Sequence, residues 1–416
     1  MSQSHNKPSN ALFLFFIQPF LGFLVSLKYI NSKVGKFVFI AFATLWGYAQ
    51  SFTHTPTDGY RVAASFCQQP IRDFSTIIYM FEQGLAIDGY LLVSNFFVHQ
   101  FSDNAKVYFA FLGFVFGLFC YKSLSFLVKE RVGNHNRFLS HLLFLLFATN
   151  SFAWLTAPRF FTTTWIATYI FVCIMQGKKR YALFSVVLPL IHFSFLPVAV
   201  ALFLMPLLSK FFSKHLKILF YGVCVMFMLS FVLPKSVIAR MMPQELMEEN
   251  SKFASKASYV NDSNKVKVVK EVSAYREANS FVKKTFNLLM KAGSFLALLF
   301  FYLRRKTICN DRKVFTTYVS VLIVAFVAYF MSIIPGSGWR YINVLWLLLY
   351  ILFYRYCDVF RPKQFGKILL PLYTMNIYTI SFMFYVTYQT VDLVLFYAPM
   401  PFVITHGIGF PPVYFV

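Results

Sequence analysis

The sequence predicts an all-α, polytopic membrane protein, on the evidence of its composition and its long apolar runs. Of its 416 residues, 58% are hydrophobic, 13% are charged and 55 are phenylalanine. A soluble domain typically has about 25% charged residues. Several apolar runs approach the roughly 20 residues that a helix needs to cross a bilayer. We therefore expect one transmembrane domain over residues 1–416, with about 10–12 membrane helices.

Ten apolar runs are predicted to be membrane spans. They cover about residues 11–27, 37–53, 105–128, 138–154, 160–176, 216–234, 281–303, 314–334, 341–357 and 368–390. The first is expected to stay uncleaved, because no small-residue cleavage site follows it and Lys28, Lys33 and Lys36 do.

The formal charge of +24 is distributed as in a membrane protein, which argues against binding to nucleic acid. Basic residues cluster in alternate short loops, which the positive-inside rule makes cytoplasmic. These clusters are Lys178–Arg180, Lys210–Lys217, Arg304–Lys313 and Arg361–Lys367. Most acidic residues lie in loops 54–104 and 235–280, which we expect to be extracytoplasmic, as are both termini.

Segment 181–208 departs from this alternation, because basic clusters flank it on both sides. A single crossing would put one cluster on the wrong side of the membrane. The segment also brings Pro189, His192 and Pro197 close together. We predict a broken or re-entrant helix pair with its elbow near 192–197, lining a cavity; one proline-kinked helix is the alternative.

The two extracytoplasmic loops differ in polarity. Within loop 54–104, segments 74–81 and 90–101 are apolar enough to lie on the membrane surface as helices. Loop 235–280 is polar, and residues 264–282 alternate charged and apolar positions at helical spacing. This stretch is either a helix over the mouth of a cavity or a solvated connector.

Charged residues at a membrane are functional candidates by default. Asp58, Tyr60 and Arg61 directly follow span 37–53. A carboxylate there can accept a proton from a hydroxyl, and an arginine can hold a phosphate. Because Asp-Gly is also a common turn pair, a plain turn is the alternative here and at Asp88.

Three further candidates lie at predicted helix ends or breaks. Arg159 opens span 160–176, where a bound diphosphate would meet both its guanidinium and a helix N-terminus. The alternative is an interfacial arginine that extends to the lipid headgroups. His192 lies in the proposed elbow as a base, a donor or a packed core histidine. Arg340 and Tyr341 would suit a site for an anionic ligand or a sugar. The alternative is that they belong to the belt of aromatic residues at the membrane interface.

All these residues fall at or near the predicted extracytoplasmic face. Arginines and carboxylates in a cavity bounded by lipid suit an anionic, lipid-linked substrate. The sequence has no metal-ligand spacing and no phosphate-binding glycine loop. We therefore expect no metal, nucleotide or other cofactor.

The order of these motifs resembles the EpsG-like exopolysaccharide polymerases, relatives of the Wzy-type O-antigen and capsule polymerases. The shared elements are Asp58-Gly-Tyr60, Asp88-Gly-Tyr90, the helix-opening Arg159, the basic turn Lys178–Arg180 and Ile191-His192-Phe-Ser194, with a weaker echo at Arg340–Tyr341. They cover about residues 11–210. The chain departs from the family pattern at Arg61, which follows its Asp-x-Tyr element, and at Phe160, where the family has Gln.

The resemblance implies a GT-C-like glycosyltransferase at the outer face of the bacterial inner (plasma) membrane, surrounded by membrane lipids. Two undecaprenyl-diphosphate-linked oligosaccharides would be its substrates, without nucleotide sugar or metal. The growing glycan would pass from its carrier to a hydroxyl of the incoming repeat unit. A flippase and a chain-length regulator of the same pathway would be its partners.

On this hypothesis Arg159 and Arg340 stabilise the charge that develops on the leaving diphosphate. Asp58 is the preferred general base, with Asp88 and His192 as alternatives. The remaining substrate-binding candidates are Arg61, Tyr60 and Tyr341.

Two other functions fit parts of the pattern. An O-antigen ligase would use the same donor and a different acceptor. A non-enzymatic flippase or exporter of lipid-linked oligosaccharide would show charges through the whole membrane depth and an internal repeat, and the sequence shows neither.

Overall fold

The computed structural model describes residues 7–51, 58–86, 88–130, 137–233, 273–333, 338–357 and 362–406, and these form helices and no strand. Helices α1–α10 are Lys7–Ile17, Pro19–Leu27, Lys33–Tyr48, Asp58–Gln68, Phe74–Glu82, Tyr90–His99, Ala105–Glu130, Arg137–Thr149, Pro158–Met175 and Val187–Ile191. Helices α11–α19 are Leu196–Lys214, Leu216–Val232, Ser273–Leu303, Arg305–Ile308, Arg312–Met331, Gly338–Tyr356, Pro362–Thr390, Val394–Tyr397 and Met400–His406. Short 3-10 helices are Phe152–Thr156, Lys179–Val186 and Phe193–Phe195.

Six stretches of the described chain are long and apolar enough to cross a membrane. They are Ala105–Lys129, Leu139–Thr156, Phe193–Lys214, Thr285–Leu303, Arg312–Met331 and Gly366–Thr390. Shorter apolar helices are Pro8–Ile17, Tyr90–His99 and Leu216–Val232. The prediction of an all-helical, polytopic membrane protein is confirmed. Ten spans were predicted over the whole chain, and within the described ranges six stretches meet both the length and the hydropathy of a span.

Central helices account for part of this difference. Most side chains of α9 and α16 are buried inside the bundle, including the polar residues Thr162–Thr164 and Asn343. A helix that packs against protein does not need the continuous hydrophobicity of one that faces lipid. The first predicted span, 11–27, is two helices, because Pro19 begins α2 and the side chain of Gln18 caps it by accepting from the Leu21 amide.

The bundle has one end that is rich in basic loops, which we call the basic end. There, Nη2 of Arg355 lies 2.6 Å from Oε1 of Glu130, and Nη1 of Arg355 donates to Oγ1 of Thr317 over 2.8 Å. The Nε2 group of Gln176 also donates to Glu130. These contacts bring together the end of α7, the loop after α9, the start of α15 and the end of α16.

Residues 179–214 run away from the basic end and return to it. At the far end, the amide of Gly89 donates to the Leu190 carbonyl over 2.7 Å. The backbone is then extended at His192 (φ −149°, ψ 107°), which separates α10 from the turn before α11. The two arms are unequal, since the first consists of a 3-10 helix and the short α10, and the second is long enough to span.

The N-terminal helices are held together by a very close approach of α3 and α7. A Cβ atom on Gly113 would lie 2.4 Å from the Ala43 carbonyl oxygen, and one on Gly117 would lie 2.4 Å from the Ala43 Cβ. Small residues four positions apart let two helix backbones approach in this way.

The two predicted surface segments, 74–81 and 90–101, form α5 and α6, which expose apolar side chains such as Phe74 and Phe97. Most of loop 235–280, with much of its predicted helix 264–282, lies outside the described residues.

Candidate functional site

A cavity of about 360 Å³ opens at the end of the bundle opposite the basic end. Its walls come from α4 and the chain that follows it, from α5, α6 and the loop between them, and from the starts of α7 and α9. Four residues singled out from the sequence line it: Asp58, Arg61, Asp88 and Arg159. The further polar lining residues are Ser65, Gln69, Asn95 and Tyr108.

Asp88 and Arg159 form an ion pair in the wall of this cavity. Nη1 of Arg159 donates to the two carboxylate oxygens over 3.0 and 3.2 Å. The Asp88 side chain is 9% exposed, whereas Arg159 is 35% exposed. A buried carboxylate needs a positively charged partner, and Arg159 supplies it. The ion pair in turn holds the Arg159 guanidinium in one orientation. Nε and Nη2 of Arg159 make no hydrogen bond to the described residues, which leaves donors for a ligand.

A second cluster surrounds Asp58, the first residue of α4. Nη2 of Arg340 donates to Oδ2 of Asp58 over 3.1 Å, and Nη2 of Arg61 lies 3.5 Å from Oδ1. A carboxylate at this position also interacts favourably with the helix N-terminus. The Asp58 side chain is 40% exposed and Arg61 is 64% exposed, so this carboxylate is far more accessible than that of Asp88.

Phe160 connects Arg340 to the elbow. The guanidinium carbon of Arg340 lies 5.6 Å from the centre of the Phe160 ring, within cation–π range. The rings of His192 and Tyr341 meet the same ring edge to face, at 5.6 and 5.5 Å between centroids.

The elbow is held by hydrogen bonds of Ser194. Nδ1 of His192 lies 2.8 Å from Oγ of Ser194, and the Tyr341 hydroxyl donates to the Ser194 carbonyl over 2.6 Å. Tyr341 is fully buried, so in this structure it fixes the elbow to α16 and is not exposed to a substrate. His192 is half-buried beside Phe160 and is not among the residues that line the 360 Å³ cavity. Tyr60 is half-buried and also lies outside that lining.

A clasp between α4 and α6, which the sequence argument missed, shapes the cavity. His99 places Nδ1 at 2.7 Å from Oδ1 of Asp103 and Nε2 at 3.1 Å from the Phe66 carbonyl oxygen. Arg72 donates to both oxygens of Asp103. The hydrogen bond to His99, aided by the charge of Arg72, lowers the pKa of Asp103. The i,i+4 spacing of His99 and Asp103 was the available sequence signal.

A buried amide adds to the clasp. Oδ1 of Asn95 accepts from the Ile71 amide over 3.0 Å, and Nδ2 donates to the Gln69 carbonyl over 3.3 Å. Asn95 therefore fixes the chain that leaves α4 against α6, and both elements contribute to the cavity wall.

No protein-family model, curated protein or solved structure matches this chain. Within the described ranges, no three His, Cys, Asp or Glu side chains are grouped as metal ligands would be. Fold and site together define a class: an all-helical, polytopic membrane protein with a polar cavity at one end, lined by carboxylates that pair with arginines.

Proposed function

We propose that the protein is a membrane glycosyltransferase that polymerises undecaprenyl-diphosphate-linked oligosaccharide repeat units at the outer face of the bacterial inner membrane. The observation that carries this proposal is that Asp58, Asp88 and Arg159 line one cavity opposite the basic end, with Arg340 paired to Asp58 beside it. Such a site offers both cations for a diphosphate and a carboxylate for a hydroxyl. A GT-C-like architecture and a relationship to the EpsG-like polymerases are parts of this proposal.

Arg159 is the residue proposed to hold the donor diphosphate. Its guanidinium is oriented by Asp88 and lines the cavity with unused donors. As the bond between the sugar C1 and the diphosphate oxygen breaks, negative charge grows on that oxygen. Donors that are already aimed at the developing charge lower the barrier, because little reorganisation is needed. Arg340 supplies a second cation at the same end, next to Asp58.

Asp58 is the preferred general base because it is the accessible carboxylate of the cavity. It would take the proton of the acceptor hydroxyl while that oxygen forms the new bond to C1, and undecaprenyl diphosphate would leave. Asp88 is mostly buried and engaged with Arg159, which makes it a positioning residue. His192 remains the alternative base, behind Phe160. Tyr60 and Arg61 are then candidates for contact with sugar or phosphate at the edge of the site.

Surface polysaccharide from a strain that lacks the gene tests the proposal. The strain is complemented with wild type, with Arg159→Ala, or with the control Arg180→Ala, an exposed residue of the 3-10 helix Lys179–Val186 at the basic end. We expect long chains with wild type and the control, and single repeat units with Arg159→Ala and in the deletion, at equal amounts of inserted protein. Asp58→Asn is expected to behave as Arg159→Ala does, whereas loss only in His192→Gln would transfer the role of base to His192.

Other outcomes would replace the proposal. Long polymer that stays on its lipid carrier in the deletion would identify a ligase. Repeat units retained on the cytoplasmic side would identify a flippase or exporter. Long chains of wild-type length with Arg159→Ala would remove this arginine from the mechanism.

A further inference from the structure

A second, smaller polar cavity lies between α13 and the start of α16. Its volume is about 80 Å³, and its polar lining consists of Asn287, Lys291, Ser332 and Asn343. A buried water needs roughly 10–15 Å³ of such space, so this cavity has room for a group of several heavy atoms. None of its residues was singled out from the sequence.

Lys291 is a charged residue within an apolar, membrane-length stretch, Thr285–Leu303. Its Nζ donates to the Ser230 carbonyl over 3.2 Å and lies 4.8 Å from the centre of the Phe231 ring. No carboxylate of the described chain lies within ion-pair distance of it. An ammonium has three donors, and a charge in this position is expensive unless something compensates it.

Asn343 presents a second uncompensated donor to the same cavity. The residue is 2% exposed, and its Nδ2 has no hydrogen-bond partner in the described part of the chain. A buried donor without an acceptor is destabilising, so such a group indicates a missing partner. Asn343 lies one turn after Arg340, the residue of α16 that donates to Asp58.

Apolar surface continues beside the cavity. Leu288 and Leu289 on α13 are about half exposed, as is Phe231 on α12. A ligand that combines an acceptor-rich, anionic group with a hydrocarbon chain would satisfy Lys291 and Asn343 and cover these side chains.

We propose that this cavity binds the phosphate group of a membrane lipid, through the Lys291 ammonium and the Asn343 amide. The phosphate belongs either to a polyprenyl carrier or to a bilayer phospholipid. If the phosphate belongs to a polyprenyl carrier, the lipid-linked substrate would have a phosphate contact separate from Arg159. That part of the proposal rests on the proposed function.

Equilibrium binding of two lipids to the full-length protein tests the proposal. The protein is purified in a phosphate-free glycoside detergent and titrated with undecaprenyl phosphate or with phosphatidylglycerol, and bound lipid is measured by native mass spectrometry. The variants are Lys291→Met and Asn343→Leu. Lys122→Met is the matched control, because Lys122 lies on α7 against the rings of Phe119 and Tyr169, away from the cavity.

We expect Lys291→Met and Asn343→Leu each to weaken binding of one lipid about tenfold or more, with the control unchanged, because each removes a donor to an anion. Loss for undecaprenyl phosphate identifies the carrier, and loss for phosphatidylglycerol identifies a phospholipid. Wild-type affinity for both lipids in either folded variant overturns the proposal. Asn343→Leu keeps the test decisive if Lys291→Met does not fold. Because this experiment measures lipid binding and not sugar transfer, unchanged lipid binding in the variants would leave the polymerase proposal intact. Loss of the polymerase proposal would likewise leave the lipid site intact.

Discussion

The guanidinium of Arg340 lies over the ring of Phe160, 5.6 Å from its centre, while Nη2 of the same arginine donates to Asp58. Arg340 is thus held on two sides, by an aromatic face from α9 and by a carboxylate from α4. The rings of His192 and Tyr341 meet the same Phe160 ring edge to face. Phe160 therefore sets the distance between the elbow and the Asp58 cluster.

If the protein is the proposed polymerase, Phe160→Leu is expected to lower the rate of polymerisation by about 2- to 30-fold, because it removes the ring face that positions Arg340. The rate is measured with purified protein and lipid-linked repeat units. Phe171→Leu is the control, since Phe171 is a fully buried ring on the same helix that has no contact with Arg340 among those observed. Equal rate losses in the two variants would show that only general packing is affected.

Asp88 and Arg159 are expected to be strongly coupled in stability. The free energy of unfolding in detergent is measured for Asp88→Asn, for Arg159→Met and for the double variant. Because the Asp88 side chain is only 9% exposed, we expect a coupling energy of about 0.5–3 kcal/mol. Asp58 and Arg61 form the control pair, which is exposed and should couple by about 0–1 kcal/mol. Additive single changes at Asp88 and Arg159 would contradict the ion pair.

The sequence was sufficient to predict an all-helical membrane protein, because long apolar runs and basic loops can be recognised within short stretches of the chain. It also indicated that Asp58, Asp88, Arg159 and Arg340 lie toward the same end. It could not pair them, since the partners are 71 and 282 positions apart and meet only through packing of the helices.

The direction of side chains was equally hard to predict. Tyr341 was expected to contact sugar, yet the helix face that carries it is covered by the elbow. Lys291 lies within the predicted span 281–303, but the sequence shows neither its partners nor its cavity. Only the fold shows that it has no carboxylate partner in the described chain and shares a cavity with Asn343.

The clasp at Asp103 is expected to weaken in acid. The pKa of Asp103 is lowered in the folded protein, chiefly by the hydrogen bond to His99. A carboxyl group of this kind stabilises the fold above its unfolded pKa of about 3.9, and this contribution is lost as the pH falls through the lower, folded value. Between pH 6 and pH 3 the unfolding temperature of wild type should therefore fall further than that of Asp103→Asn. Parallel curves would mean that the clasp does not contribute.

Gly113→Ala is expected to destabilise the protein by about 1–3 kcal/mol, because the new Cβ would lie 2.4 Å from a backbone oxygen of α3. Gly222→Ala is the matched control on α12, where the new Cβ would meet only the Phe326 ring at 3.7 Å. Alanine favours helix there, so we expect no loss of stability. The two unfolding temperatures, measured in the same detergent, should differ; similar values would show that α3 and α7 can separate at little cost.

Glu130 and Arg355 should matter for stability and not for the proposed sugar transfer, because they lie at the basic end. Arg355 is 6% exposed, so Glu130→Gln removes a charged partner from a buried cation and is expected to lower the unfolding free energy by about 3–5 kcal/mol. The double variant Glu130→Leu, Arg355→Met removes both charges and should recover most of that loss. Surface polysaccharide from cells with the double variant should keep its wild-type chain length. Short chains at normal protein levels would instead connect this ion pair to the cavity at the opposite end.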